Sequence, residues 1–151
     1  FNMSNLINQV IDRIDDIAND NKIKIYRDIE PEVYFNGDKD KLRQLITILL
    51  DNAIKYNKEE GKIFVNLKKD QYTIKINIED TGVGIKKNNF NKIFDRFFME
   101  DKARSKDKGS SGLGLSIAKW IINIHGGKIK VESKEGEGSN FIIEFKDKVS
   151  N

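Results

Sequence analysis

Apolar positions along this chain recur with two different periods, and the switches between them mark its elements. Leu6, Ile7, Val10, Ile11, Ile14 and Ile17 follow three- and four-residue steps, which predicts an amphipathic helix over residues 1–20. Lys22 to Ile29, "KIKIYRDI", alternates with a period of two and predicts a strand. Pro31 breaks that run before a short extended "VYF" at residues 33–35. The helical period returns from Lys39 to Asn57, behind Asp38, a residue suited to cap a helix N-terminus. Leu42, Ile46, Leu49 and Ala53 fall on one side of this helix, its expected core face. "KIFVNLKK" (62–69) and "YTIKINIE" (72–79) alternate on either side of "DQ" and read as a hairpin. Leu113 to His125 is helical again and stops at Gly126-Gly127. "KIKVESK" and "SNFIIEF" form a last strand pair around "EGEG".

This order of elements predicts an α/β (α+β) two-layer sandwich. About three helices would cover one face of a mixed, mostly antiparallel five-stranded sheet, leaving the other face partly exposed. Gly82 to Gly112 holds only short apolar clusters among Lys, Asp, Asn, Ser and Gly. A connection of that length inside a compact domain is functional or disordered. The amphipathic start leaves two readings open: a surface helix of this domain, or a helix continuing from an upstream module.

Composition narrows the classes. A length of 151 residues, with 38% hydrophobic and 34% charged, suits one domain around one core. A net charge of +3, with both signs interspersed, argues against a nucleic-acid binder working through phosphate electrostatics. The absence of cysteine excludes a disulfide framework and a thiolate metal site. No apolar run approaches the roughly 18 residues that cross a bilayer, so no membrane contact is expected from this domain itself.

Three stretches carry candidate chemistry. In "LRQLITILLDNAIKYN", Asn52 and Lys55 lie three residues apart on a stripe with Gln44 and Ile48. The amide can offer an oxygen to Mg²⁺ and the ammonium can neutralise phosphate, although a solvated helix face needs the same residue types. In "DTGVGI", Asp80 sits at a strand end before two glycines. Its carboxylate can accept from an exocyclic amine, but Asp-Thr-Gly is also ordinary turn chemistry. "GSSGLGLSIAK" fits neither a Walker A loop nor a dinucleotide fingerprint. It leaves a helix N-terminus as a general anion site or a simple hinge. Lys102, Arg104, Lys106 and Lys108 precede it at every second position.

Taken in order, these segments resemble the ATP-binding catalytic domain of sensor histidine kinases, within the GHKL ATPase superfamily. "LLDNAIKYN" is similar to the N-box, "DTGVGI" to the first glycine box and "IFDRFF" to the F-box. "GSSGLGLSIAK" is similar to the second glycine box, and "HGGKIKVES" with "GEGSNFIIEF" to the closing segments. The resemblance implies a GHKL fold with a mobile lid at about residues 95–112, ATP and Mg²⁺ as ligands, and residues 21–151 as the catalytic unit. It also implies that Asn52 binds the metal, Lys55 a phosphate, and that both serve the catalysed transfer. Tyr56 would lie near ribose or adenine, Asp80 would take the adenine amino group, and Gly82, Gly84 and Ile85 would shape that pocket. Gly112, Leu113 and Gly114 would let the lid backbone wrap the triphosphate, with Arg104 as a lid cation.

The implied reaction is phosphoryl transfer to a histidine on a separate dimerisation module, with a response regulator downstream. The implied setting is a cytoplasmic domain of a membrane-anchored protein. An anti-sigma-type serine kinase and a degenerate ATP-binding scaffold are the alternatives.

Four departures qualify this. Ile48 stands where a second Asn, or a glutamate base in hydrolytic relatives, is common. Phe98-Met99 replaces a frequent Tyr-Arg, and Ser110 a frequent glycine. The only histidine, His125, lies at a helix end and reads as structural, not as the phosphate acceptor.

Overall fold

The computed structural model describes residues 1–96, 98 and 113–147. Three α-helices lie among them: α1 (Met3–Asp20), α2 (Lys39–Lys55) and α3 (Gly114–Ile124). The strands are β1 (Lys24–Ile29), β2 (Lys62–Lys69), β3 (Thr73–Asp80), β4 (Lys128–Lys134) and β5 (Gly138–Lys146). They form one sheet of order β1-β2-β3-β5-β4. β1 runs parallel to β2 and the other pairings are antiparallel, so the sheet is mixed and mostly antiparallel, as the sequence predicts. α2 lies in the crossover from β1 to β2, the kind of connection a parallel pair requires.

The period of two decides which face is buried. Ile74, Ile76 and Ile78 of β3 turn inward, beside Val65 and Leu67 of β2 and Phe141, Ile143 and Phe145 of β5. The apolar stripes of the three helices close over this face and share its core. Each fully buried Leu or Ile contributes about 1.5–3 kcal/mol. A single polar residue at the end of such a row is therefore carried inward by its neighbours. The opposite face is polar, with exposed Lys75, Glu79, Lys130 and Glu132, and one aromatic stack of Tyr26 on Phe64.

Boundaries differ from the expected ones in small ways. β1 begins at Lys24 rather than Lys22, because Lys22 sits in a turn at φ 59°. "VYF" is no strand: Tyr34 makes one isolated bridge to Asn2, while Ser4 Oγ accepts from the Val33 N–H at 2.9 Å. The core face of α2 is wider than predicted and includes Leu45, Leu50 and Ile54, because α2 packs against α1, α3 and the sheet together. Its cap is as expected: Asp38 accepts from the N–H groups of Asp40 and Lys41 at 3.0 and 3.1 Å. The Lys41 N–H bond, more than its ammonium, holds the Asp38 carboxyl below the usual carboxylate range.

His125 caps α3 and ties it to α2. Its Nδ1 donates to Ile121 O at 2.8 Å and its Nε2 accepts from the Asp38 N–H at 3.1 Å. The ring packs on Phe35 and Phe145. Both ring nitrogens are engaged with backbone, which is a structural arrangement.

Candidate functional site

Asp80 continues the inward row of β3 by one further step, and the same alternation that buries Ile78 buries its carboxylate to 7% exposure. Oδ1 accepts the Gly82 N–H at 2.8 Å. Burial pushes the carboxyl up to about 6, against the downward pull of backbone bonds from Gly82 and Ser139 and with a smaller upward push from Glu79. A carboxylate has about four acceptor positions, so capacity remains for a donor such as an exocyclic amine.

The turn that follows is packed against backbone on both sides. A side chain at Gly82 would meet Tyr56 O at 2.2 Å, and one at Gly84 would meet Lys134 O at 2.2 Å. Gly84 also takes φ 74°, which L side chains rarely adopt. Val83 N–H donates to Tyr56 O at 3.1 Å, while Val83 O accepts from Gly136 N–H at 2.7 Å. Ile85 N–H donates to Ser133 Oγ at 2.8 Å, and that hydroxyl is within 2.8 Å of both Gly138 O and Ser139 Oγ. The turn is thus clamped between the end of α2 and the β4–β5 hairpin.

On α2, Asn52 is half-buried, and Lys55 Nζ lies 3.1 Å from Asp51 Oδ2 one turn back. Ile48 sits one turn before Asn52, and its Cγ2 would lie 3.4 Å from a side chain placed at Gly114. The N-terminus of α3 therefore abuts the stripe that carries Asn52. Leu113 precedes α3 without a side-chain cap, and its carbonyl accepts from Ser116 Oγ at 2.8 Å. N–H groups at a helix start attract anions.

The fold thus assembles Asn52, Lys55 and Tyr56 on one element, Asp80, Gly82, Gly84 and Ile85 on a second, and Leu113 and Gly114 on a third. Arg104, Gly112, Ser110, Met99 and most of the expected lid fall outside the described residues. Four polar contributors escape a sequence reading: Asn57, Thr81, Ser133 and Ser139. Asn57 and Thr81 lie inside motifs singled out for other residues. Periodicity assigns a face but no hydrogen-bond partner, so nothing in the sequence pairs them.

Asn52 offers one hard oxygen, and among the described residues no group of three or more His, Cys, Asp or Glu could hold a metal ion. This donor set fits Mg²⁺ in its phosphate-bound mode, with few protein ligands and several waters. No helix among the described residues is long and apolar enough to cross a membrane.

A buried acidic strand end, a glycine turn and a neighbouring polar helix stripe, carried on a mixed, mostly antiparallel sheet, set this domain apart from P-loop and dinucleotide folds, whose sheets are mostly parallel. The chain belongs to the histidine kinase-, DNA gyrase B- and HSP90-like ATPase family, which matches residues 37–149. It is 38% identical over 146 residues to the sensor protein kinase WalK of Staphylococcus haemolyticus, covering 95% of this chain and 23% of that one. The catalytic domain of histidine kinase ThkA superposes with a TM-score of 0.85 at 28% identity, over 97% of this chain and 93% of that one. ThkA in complex with the response regulator TrrA superposes with a TM-score of 0.79 at 28% identity, covering 97% of this chain and 40% of that one. These likenesses place the chain with histidine-kinase catalytic domains and do not favour the serine-kinase alternative. The chain spans 23% of the length of the first curated relatives it matches.

Proposed function

We propose that this domain binds ATP with Mg²⁺ and delivers the γ-phosphoryl group to a histidine on a separate helical module of a longer kinase. The observation that carries the reading is the buried, inward-turned Asp80 carboxylate, set across a backbone clamp from the Asn52–Lys55 stripe. Asp80 accepts from the adenine amine, Tyr56 lies toward ribose or adenine, and Gly82, Gly84 and Ile85 form the wall. Asn52 supplies an oxygen to the metal, and Lys55 with the start of α3 at Leu113–Gly114 faces the phosphates. Arg104 and Gly112 would add to the phosphate end. Mg²⁺ held at Asn52 would supply charge neutralisation to the phosphate chain.

Positioning and charge neutralisation are the whole of this chain's contribution. The γ-phosphorus–oxygen bond breaks with its electron pair going to ADP, and a phosphorus–nitrogen bond forms at the acceptor imidazole. The imidazole proton leaves to a group beside the acceptor. Ile48 cannot polarise water, which disfavours hydrolysis over transfer. We further read residues 21–151 as the part that carries the catalytic site, with residues 1–20 leading into it through a helix that shares its core. In this reading the domain faces the cytoplasm in a membrane-anchored protein, and the phosphoryl group passes from the acceptor histidine to a response regulator.

Calorimetric titration of MgATP into wild type, Asp80→Asn and Asn52→Ala tests the site. Each variant is expected to lose about ten-fold or more in affinity; unchanged affinity in both overturns the assignment. Radiolabel from γ-labelled ATP is expected on a histidine-bearing helical module, and its absence in every pairing favours a scaffold.

A further inference from the structure

The base end and the phosphate end of this site lie on different elements, so something must fix the distance between them. Asn57, the second residue past α2, is buried to 8% exposure although it is polar. Its Nδ2 donates to Lys62 O at 3.1 Å. Its Oδ1 accepts from the Lys58 N–H at 2.9 Å and from Thr81 Oγ1 at 3.2 Å. Thr81 Oγ1 in turn accepts the Lys62 N–H at 2.8 Å. One side-chain pair therefore joins the end of α2, the start of β2 and the turn that begins at Asp80.

Packing specifies the same junction independently. A side chain at Gly61 would meet Asn57 Oδ1 at 2.1 Å. One at Gly82 would come within 3.0 Å of Asn57 Cα, besides striking Tyr56 O. Two glycines make room for this contact, one beneath the amide and one beneath the helix end.

We infer that Asn57 and Thr81 are positioning residues that hold the Asp80 turn at a fixed separation from the Asn52–Lys55 stripe. The pair couples base recognition to phosphate recognition. This rests on the proposed nucleotide site and deepens it. Neither residue touches the ligand in this reading. A ligand that spans both halves gains from having them held in advance, whereas a ligand confined to one half does not.

The test compares MgATP with adenosine, which lacks the phosphates that reach the Asn52–Lys55 stripe, by titrating wild type, Thr81→Val, Thr81→Ser and the Thr81→Val/Asn57→Ala double variant. Thr81→Val keeps the shape of the side chain and removes the hydroxyl. It is expected to weaken MgATP by about ten-fold while adenosine stays within about two-fold of wild type. Thr81→Ser restores the hydroxyl and the MgATP affinity. The double variant is no weaker than the single one by more than about two-fold, because both changes open the same latch. Retained adenosine affinity also reports a folded site. Equal losses for MgATP and adenosine, MgATP affinity unchanged in Thr81→Val, or failure of Thr81→Ser to rescue each overturns the coupling. Failure of wild type itself to bind MgATP overturns the nucleotide reading instead, and the coupling with it.

Discussion

Asp80 and Ile78 point the same way out of β3, so the core-forming rule that buries an isoleucine also buries a carboxylate, whose Oδ1 then takes the Gly82 N–H at 2.8 Å. The cost of that burial is visible in the rise of the Asp80 carboxyl from 3.8 to about 6. Because the folded value lies above the unfolded one, the folded state holds its proton more tightly. Stability is then lost as pH rises from about 4 to about 6, and the deficit is fully present at neutral pH. Asp80→Asn keeps an acceptor for Gly82 and removes the charge. It is expected to raise the stability of the nucleotide-free domain at pH 7 by about 1–3 kcal/mol, with the gain vanishing near pH 4. Urea unfolding at both pH values measures it. Lower stability of the variant at pH 7 would contradict the assigned burial cost.

The same titration bears on ligand binding. Adenosine avoids the titration of a phosphate chain, so its affinity isolates the base half. Affinity for adenosine is expected to fall as pH drops through about 6, where Asp80 gains its proton. In Asp80→Asn the profile is expected to be flat. A wild-type profile without a break in that region would place the amine acceptor elsewhere.

How much of this was legible in advance follows from which forces act locally. Alternation in "YTIKINIE" was enough to orient β3, and extending it by one residue puts Asp80 inside. The cap at Asp38 and the stop at Gly126 were legible because both are short-range chemistry. The extra width of the α2 core face was not, since it depends on α1 and α3 flanking it. Nor was the Asn57–Thr81 pair, whose members lie 24 positions apart in the chain. A period names the face a side chain takes but not its partner across a turn. The glycines carry a packing requirement that the sequence does not show either: a side chain at Gly82 or Gly84 would strike Tyr56 O or Lys134 O.

Lys55 is shared before any nucleotide arrives. Asp51 holds its ammonium at 3.1 Å, with the two side chains 33% and 47% exposed, so the pair itself stabilises the fold little. Its consequence is for phosphate binding: a carboxylate beside the phosphate-facing cation repels the incoming anion. Asp51→Asn is expected to tighten MgATP by about two- to five-fold at about 0.05 M salt, and by much less at about 0.5 M. Isothermal titration at the two salt concentrations decides it; weaker binding in the variant would mean that Asp51 aligns Lys55 rather than diverting it.

Ile48 places an apolar side chain one turn before Asn52, where the family resemblance leads one to expect an amide or a carboxylate. Here it is half-buried against the first residue of α3. Ile48→Asn exchanges that apolar contact for a second oxygen beside the proposed metal. The substitution is expected to cost about 1–2 kcal/mol in stability and to lower the Mg²⁺ concentration for half-maximal ATP binding by about three- to ten-fold. A magnesium titration at fixed ATP reads the second effect separately from the first. An unchanged magnesium requirement would place the metal away from this stripe.

His125 supplies the contrasting case, a residue that tempts a catalytic reading and has both ring nitrogens engaged. Nε2 accepts from Asp38 N–H, Nδ1 donates to Ile121 O, and the ring fills the gap between Phe35 and Phe145. Phosphorylation at either nitrogen would require breaking a helix-end bond and expelling the ring. His125→Ala leaves the Asp38 N–H without this acceptor and opens a cavity under Phe35. The expected loss of stability is about 2–3 kcal/mol. Asn52 lies about four turns along the same helix from Asp38, so MgATP affinity is expected to stay within about two-fold. Thermal melts and calorimetry on one protein preparation separate the two quantities. A variant of wild-type stability that had lost MgATP binding would overturn the structural role and return His125 to the site.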